Sequence, residues 1–220
     1  LVAASSQGGL WQMNLFAKDG SQIPLIQPCH HLAGIHADEY RAVAIGSSFS
    51  DEIGLLELDL RNGSWEHTPV RKPVLSVEDI SRPEAFWFKG YQGERTHAWY
   101  YPPLPNLYDK SPLLVKVHSG PTSMSSRSLN LAIQFWTSRG WSVLDVNYGG
   151  STGFGKKYRD RLKRRWGQVD VFDCTAGAKE LVRLGKIDSN LIVIEGSSAG
   201  GFTALNCLCF SDIFKAASCK

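Results

Sequence analysis

The sequence predicts a mixed chain, with a β-rich part over residues 1–75 and an α/β part over residues 76–220. In the first part, short apolar runs alternate with tight turns, which is typical of antiparallel strands. In the second part, nearly continuous apolar runs alternate with segments of helical periodicity. This alternation is typical of a parallel sheet with helices on both faces.

The composition is that of an ordinary globular protein. Of 220 residues, 43% are hydrophobic and 20% are charged, and the formal net charge is +3. A charge this small indicates no nucleic-acid partner, and no apolar run approaches the roughly 18 residues of a membrane span. The first residues lack a signal peptide. Five cysteines without a CxxC pair predict a reduced, cytoplasmic protein with no metal and no cofactor, and the oligomeric state stays open.

A repeat runs through the first part. One series of two apolar runs and a Gly-containing turn is followed by a second at an offset of about 41–45 residues, within the range of a β-propeller blade. The apolar runs are residues 2–6, 10–16, 41–49 and 54–60, and the turns end at Gly20 and Gly63. From the residues alone, two propeller blades and two unrelated hairpins of a small β-sandwich both remain open.

The second part predicts a regular succession of strands and helices. An apolar stripe at Leu129, Ala132, Ile133 and Trp136 predicts one helix, and a second stripe predicts another helix over residues 155–184. The last predicted helix follows Ala199. The predicted strands are residues 76–90, 96–102, 113–119, 141–148 and 191–196.

Two stretches match the pattern Gly-x-Ser-x-Gly, which exposes a nucleophilic serine on a sharp turn between a strand and a helix. They centre on Ser151 and Ser198, and each follows a predicted strand. Ser198 has small neighbours and a helix that starts at once, as this turn requires. At Ser151 the neighbour Thr152 is β-branched and the helix starts later. We therefore predict Ser198 as the nucleophile and place Ser151 in a Gly-rich loop.

Acyl chemistry on a serine also needs donors for the developing oxyanion. The backbone N–H of Ala199, next to the nucleophile, is one candidate. A second N–H comes from a loop after an earlier strand, and HSGP (residues 118–121) lies at the end of the strand 113–119. By itself HSGP also fits an ordinary Gly-Pro turn.

Four ordered motifs resemble the catalytic domain of the prolyl oligopeptidase family of serine peptidases, with the acylaminoacyl-peptidase-like branch nearest. The motifs are HSGP, NYGGSTGFGKKYRD, RWGQVDVFDC and IEGSSAGGFTAL. The resemblance extends from about residue 80 to the end. It implies the N-terminal half of an α/β-hydrolase domain (76–220), preceded by the last blades of a β-propeller (1–75).

The resemblance also implies roles for individual residues. Ser198 matches the nucleophile, Ala199 the adjacent oxyanion donor, and Gly120 the second backbone donor of an HGGP-type loop. Ser119 replaces the first glycine of that loop. The triad aspartate and histidine are expected beyond Lys220. The 220 residues alone are therefore expected to be an inactive fragment that folds poorly.

Other polar clusters have simpler interpretations. All six histidines precede Ser198, so His118 is expected to orient the HSGP loop or to face solvent. The cluster CHHLAGIH (29–36) is interpreted as a loop between strands and the basic run KKYRDRLKRRW (156–166) as a solvated helix face.

The resulting functional hypothesis is a serine peptidase that cleaves short peptides through an acyl-enzyme on Ser198. An esterase or lipase of the same fold remains an alternative, because the turn and the loop do not distinguish amides from esters. A non-catalytic propeller–hydrolase protein used for binding remains a second alternative.

Overall fold

The chain forms two compact units in a computed structural model that describes all 220 residues. The first unit comprises residues 1–77 with residues 126–130. The second comprises residues 78–125 and 131–220. None of the helices has the length and apolar character needed to span a bilayer.

The first unit contains two antiparallel sheets, one of three strands in the order β1-β2-β3 and one of four in the order β4-β5-β6-β7. Their apolar core is formed mainly by the alternating inward residues of these strands, as antiparallel sheets with one buried face require. The strands are β1 (Val2–Gln7), β2 (Leu10–Phe16), β3 (Gln22–Leu25), β4 (His31–Ala37), β5 (Arg41–Ser47), β6 (Gly54–Asp59) and β7 (Trp65–Pro69).

The interpretation of CHHLAGIH as a loop is wrong, because most of it lies in β4. This strand pairs with β5, but its register shifts between Ala33 and His36. Such an irregularity adds a residue to one strand and breaks the alternation by which strands are recognised in sequence. Only Leu32 of the strand is buried.

The second unit is built on a six-stranded sheet in the order β13-β12-β10-β11-β9-β8. The four strands from β13 to β11 are parallel to their neighbours, and β9 and β8 are antiparallel. This arrangement confirms the predicted α/β class. The strands are β8 (Glu84–Lys89), β9 (Arg95–Tyr101), β10 (Ser111–Val117), β11 (Ser142–Asn147), β12 (Ile187–Gly196) and β13 (Ala216–Cys219).

Four α-helices connect these strands: α1 (Leu131–Thr137), α2 (Lys156–Arg159), α3 (Val169–Arg183) and α4 (Ala199–Phe210). Short 3-10 turns lie at Val77–Asp79, Tyr91–Gly93 and Asp160–Leu162. The single helix predicted over residues 155–184 is wrong. Its backbone leaves the helical region at Arg164 (φ 59°) and Gly167 (φ 82°), so the basic run ends before α3 begins.

The buried face of α1 differs from the predicted stripe. Its buried residues are Ile133, Gln134 and Thr137, and Leu129 precedes the helix. Gln134 is buried because its side-chain amide accepts from the N–H of Ser81 (2.8 Å) and donates to the Ser81 carbonyl (3.1 Å). A paired amide can replace an apolar side chain in a core, which apolar periodicity does not reveal.

A row of charged side chains crosses the three central strands. The register places Lys116 of β10 beside Asp145 of β11 on one side and Glu195 of β12 on the other. Lys116 forms an ion pair with Glu195. Asp145 is buried and accepts a hydrogen bond from the Ser125 hydroxyl at 2.6 Å. Burial raises the pKa of Asp145 to about 6, against the opposing effects of Ser125 and Lys116.

This shifted pKa predicts a pH dependence of stability. A carboxyl whose pKa is higher in the folded than in the unfolded chain stabilises the fold below pH 4, and this contribution is lost as the pH rises through about 6. Asp145→Asn removes the titration. The unfolding free energy of the variant minus that of the unmutated protein should increase by about 2–3 kcal/mol from pH 4 to pH 7. Urea unfolding of the full-length protein at stepped pH values, followed by tryptophan fluorescence, measures the difference.

The control is Asp212→Asn, which changes an exposed aspartate in the same unit. Its stability difference from the unmutated protein should stay constant over this pH range. Equal pH slopes for Asp145→Asn and the unmutated protein would contradict the assignment to Asp145.

Candidate active site

The site lies where β10 and β12 end. These strands are parallel neighbours, and their last paired residues are Val117 and Gly196. The loop after β10 begins with His118, and the turn after β12 contains Ser197 and Ser198. Because the carboxyl ends of parallel strands meet at one edge of a sheet, the HSGP loop and the predicted nucleophile are brought together there.

Ser198 has the backbone conformation expected of an exposed nucleophile. Its φ is 51° and its ψ is −121°, a combination that non-glycine residues rarely adopt. Its N–H donates to the carbonyl of Lys220 at 2.7 Å, which helps to hold the turn. The side chain is exposed, and its hydroxyl has no hydrogen-bond partner among the 220 residues.

The glycines on either side of Ser198 are required by close backbone contacts. A Cβ at Gly196 would collide with the carbonyl of Gly200, and a Cβ at Gly200 would collide with the carbonyl of Val117. Gly201 is less constrained, since its Cβ would lie 3.3 Å from the Gly196 oxygen. Both glycines of the Gly-x-Ser-x-Gly pattern therefore let α4 pass close to β10 and β12.

Helix α4 starts at Ala199, directly after Ser198. The N–H of Ala199 makes no backbone hydrogen bond, as expected for the first residue of a helix. The next N–H, of Gly200, donates to the carbonyl of Ser197 at 2.8 Å. The structure thus leaves the N–H of Ala199 free beside the predicted nucleophile, which is the placement that an oxyanion donor needs.

The second predicted donor, Gly120, occupies a conformation suited to glycine. Its φ is 133°, and a Cβ there would lie 2.8 Å from the nitrogen of Thr122. The carbonyls on both sides of Gly120 are fixed by side chains. His118 Nδ1–H donates to the carbonyl of Ser119 at 2.8 Å, and the Tyr148 hydroxyl donates to that of Pro121 at 2.8 Å.

The geometry of His118 favours a positioning role over that of a base. Its ring stacks on Tyr148, with centroids 4.3 Å apart. Burial lowers the pKa of His118 to about 4, so the ring is neutral at pH 7. Nδ1 carries the proton donated to Ser119, and Nε2 lies 2.8 Å from the Ser151 hydroxyl. Both ring nitrogens are therefore occupied within the loop.

Ser151, the other serine in a Gly-x-Ser-x-Gly pattern, is enclosed. It has no exposed surface, and its hydroxyl contacts both His118 Nε2 and the carbonyl of Tyr148 at 2.8 Å. A substrate carbonyl has no access to a serine buried in this way. The geometry supports the interpretation of Ser151 as part of a Gly-rich loop, where it anchors His118.

Two buried aspartates hold the surrounding elements. Asp170 of α3 accepts from the N–H of Gly167 at 2.7 Å and from the Thr203 hydroxyl of α4. Asp173 accepts from the N–H of Gly149 and from that of Tyr91, each at 2.7 Å. Burial raises the pKa of Asp173 to about 6. The burial of both aspartates is therefore explained by their hydrogen bonds to the backbone of neighbouring segments.

The basic run is only partly a solvated face. Arg161 turns back to the β8–β9 connection, where it donates to the carbonyl of Arg95 and pairs with Glu94 at 3.2 Å. Arg165 reaches Gln92 in the same connection at 3.3 Å. The exposed members are Lys156, Lys157, Arg159, Lys163, Arg164, Arg165 and Trp166, so most of the run is solvated as expected.

Sequence reasoning missed two contributors to the site. Tyr148 lies in a motif of the family resemblance, yet nothing local to it indicates a bond to Pro121. Ser119 was noted only as a departure from an HGGP-type loop. Its hydroxyl donates to the carbonyl of Ser197, 2.7 Å away on the turn that carries Ser198.

Comparison with known sequences identifies relatives of the C-terminal part of the chain. Residues 127–220 match the model of the prolyl oligopeptidase family. The acylamino-acid-releasing enzyme of Arabidopsis thaliana is 35% identical over 91 residues, which are 41% of this chain and 12% of that enzyme. Dipeptidyl-peptidase 5 of Schizosaccharomyces pombe is 33% identical over 127 residues, which are 54% of this chain and 18% of that protein.

Solved structures of peptidases are similar to this chain over nearly its whole length. A puromycin-hydrolyzing peptidase of Mycobacterium tuberculosis superimposes with a TM-score of 0.91 at 36% identity, covering 96% of this chain and 34% of that one. The Pyrococcus horikoshii acylaminoacyl peptidase has a TM-score of 0.78 at 26% identity, covering 98% and 36%.

The chain thus spans about a third of these solved chains and less than a fifth of the two curated relatives. The resemblance drawn from the four motifs is confirmed by the match of residues 127–220 to the model of the prolyl oligopeptidase family.

Proposed function

We propose that the chain is part of a serine peptidase that cleaves short peptides through an acyl-enzyme on Ser198. The observation that carries this proposal is the exposed Ser198, held at φ 51° between β12 and α4 with the free N–H of Ala199 beside it. A strained serine at this place is typical of a nucleophile in α/β-hydrolases.

In the proposed reaction, Ser198 Oγ attacks the carbonyl carbon of the substrate and transfers its proton to a general base. The N–H groups of Ala199 and Gly120 donate to the oxyanion that forms. The protonated base then gives its proton to the leaving amine as the C–N bond breaks. Water, deprotonated by the same base, attacks the acyl-enzyme and releases the acid and the free serine.

The base must come from elsewhere in the protein. None of the six histidines follows Ser198, and His118 is occupied by Ser119 and Ser151. In the α/β-hydrolase order the acid and the histidine follow the serine. We propose that an aspartate and a histidine outside these 220 residues complete the triad, which agrees with the greater length of the relatives.

The architecture is proposed on the same basis. We infer that residues 76–220 are the N-terminal half of an α/β-hydrolase domain and that residues 1–75 contribute blades of a β-propeller. The four-stranded antiparallel sheet β4–β7 has the strand number and order of one blade.

The relatives narrow the substrate class. Their names describe the release of acylamino acids, the removal of dipeptides and the hydrolysis of puromycin. Two of these names describe a peptidase, and all three name a small group or molecule that is released or hydrolysed. We propose short peptides or peptide-like amides as the substrates of the full-length protein.

The assignment of the nucleophile predicts selective covalent labelling. A fluorophosphonate should label the full-length protein at one site per chain, because an activated serine attacks its phosphorus. Ser198→Ala should abolish the labelling and lower kcat/KM at least about 1,000-fold. Intact-mass measurement and peptide mapping give the stoichiometry and the site.

The matched control is Ser151→Ala, which removes the other serine in the same sequence pattern. This variant should still be labelled at Ser198. Labelling at Ser151, or no labelling of a folded full-length protein, would contradict the proposal, and the second result would favour a non-catalytic binding role.

The close backbone contacts predict unequal effects at adjacent glycines. Gly200→Ala pushes against the carbonyl of Val117 and separates α4 from the end of β10. A shift of about 1 Å between catalytic groups costs on the order of 100-fold in rate, so we expect a loss of this size in kcat/KM. Gly201→Ala, with its nearest contact at 3.3 Å, should retain most of the activity. Equal losses in both variants would contradict this account.

The substrate class predicts a preference among matched compounds. An N-acetylated amino-acid anilide and a dipeptidyl anilide should be hydrolysed at different rates. The two compounds differ in the group at the amino terminus, and the proposed cleavage lies near that end of the substrate. Long-chain acyl esters should be poor substrates. Steady-state kcat/KM values measure the order, and a preference for long-chain esters would favour a lipase instead.

A further inference from the structure

We propose that Ser119 is a positioning residue that holds two segments of the site together. One is the HSGP loop (residues 118–121), here called the oxyanion loop, and the other is the turn at Ser197 and Ser198, here called the nucleophile turn. This inference rests on the proposed function and adds to it a residue that touches neither substrate nor reacting atoms. The observation is the hydrogen bond from Ser119 Oγ to the carbonyl of Ser197, 2.7 Å long, between residues 78 positions apart.

The bond joins the two segments that carry the proposed oxyanion donors, within two residues of each donor. Ser119 precedes Gly120, and Ser197 lies two residues before Ala199. The two donors come from different loops, so the distance between them depends on how those loops are held together. The pairing of β10 with β12 ends at Val117 and Gly196, and the Ser119 bond continues the connection beyond it.

Both ends of this bond are fixed. The carbonyl of Ser197 also accepts from the N–H of Gly200 at 2.8 Å, which ties it to the first turn of α4. The carbonyl of Ser119 accepts from His118 Nδ1–H at 2.8 Å. A hydrogen bond between two already ordered groups restricts motion at little further cost in conformational entropy.

The position tolerates a serine without strain. Ser119 is absent from the residues with positive φ, so a Cβ there fits the backbone, whereas Gly120 at φ 133° requires glycine. The side chain is exposed, which leaves room for a larger residue that keeps the hydroxyl. Where an HGGP-type loop has glycine, this chain therefore has a hydroxyl that bridges the site.

The proposal is tested in the full-length protein with Ser119→Ala and Ser119→Thr. The alanine variant keeps the Cβ and loses the donor, and the threonine variant keeps the donor. Since an oxyanion donor acts on the transition state, we expect Ser119→Ala to lower kcat by about 5- to 30-fold with KM unchanged within about twofold. The affinity for a peptidyl boronate, which forms a tetrahedral adduct with the nucleophile, should fall by the same factor. Ser119→Thr should restore both values.

The control variant is Ser123→Ala, an exposed serine of the same loop whose hydroxyl has no hydrogen-bond partner. Its kcat and its boronate affinity should match those of the unmutated protein. Thermal melting of all variants separates loss of positioning from loss of fold.

Three results would overturn the proposal. An unchanged kcat in Ser119→Ala would show that the bond has no catalytic effect. A change confined to KM would make Ser119 a substrate contact. A lower melting temperature in proportion to the lost activity, without recovery in Ser119→Thr, would make the role structural. If fluorophosphonate fails to label Ser198 in the unmutated protein, the proposed function itself fails, and this proposal fails with it.

Discussion

The site depends on a close approach between the backbone of α4 and the ends of two strands. At Gly196 the turn passes against the carbonyl of Gly200, and at Gly200 the helix passes against the carbonyl of Val117. No side chain fits between these segments. The absence of two Cβ atoms therefore determines where α4 begins, and with it the backbone strain at Ser198 and the place of the Ala199 N–H.

Buried polar side chains hold the loops around this contact. Tyr148 and His118 bind backbone carbonyls of the HSGP loop, while Asp170 and Asp173 accept backbone N–H groups from three other segments. Loops at a sheet edge leave backbone groups without partners from secondary structure, and each buried one needs a hydrogen bond. The polar motifs by which the family is recognised supply these bonds.

The sequence predicts the parts of the site that depend on local contacts. The turn at Ser198 follows from small residues between a strand and a helix. The bond from Ser119 to Ser197 joins positions 78 residues apart, and that from Gln134 to Ser81 joins positions 53 apart, so no periodicity indicates them. The break at Arg164 was missed because a run of basic and apolar residues has helical propensity throughout. Helical propensity depends on residues that are close in the sequence. The two hydrogen bonds and the break at Arg164 depend on residues that are close only in the folded structure.

The two Gly-x-Ser-x-Gly stretches illustrate the same distinction within one site. A series of hydrogen bonds connects them: the Ser151 hydroxyl contacts His118 Nε2, His118 Nδ1–H donates to the Ser119 carbonyl, and the Ser119 hydroxyl donates to the Ser197 carbonyl. Ser198 is exposed on a strained turn, and Ser151 is buried with its hydroxyl bonded inside the loop. The pattern alone specifies closely packed turns, and the surroundings decide which serine is exposed and which supports the loop.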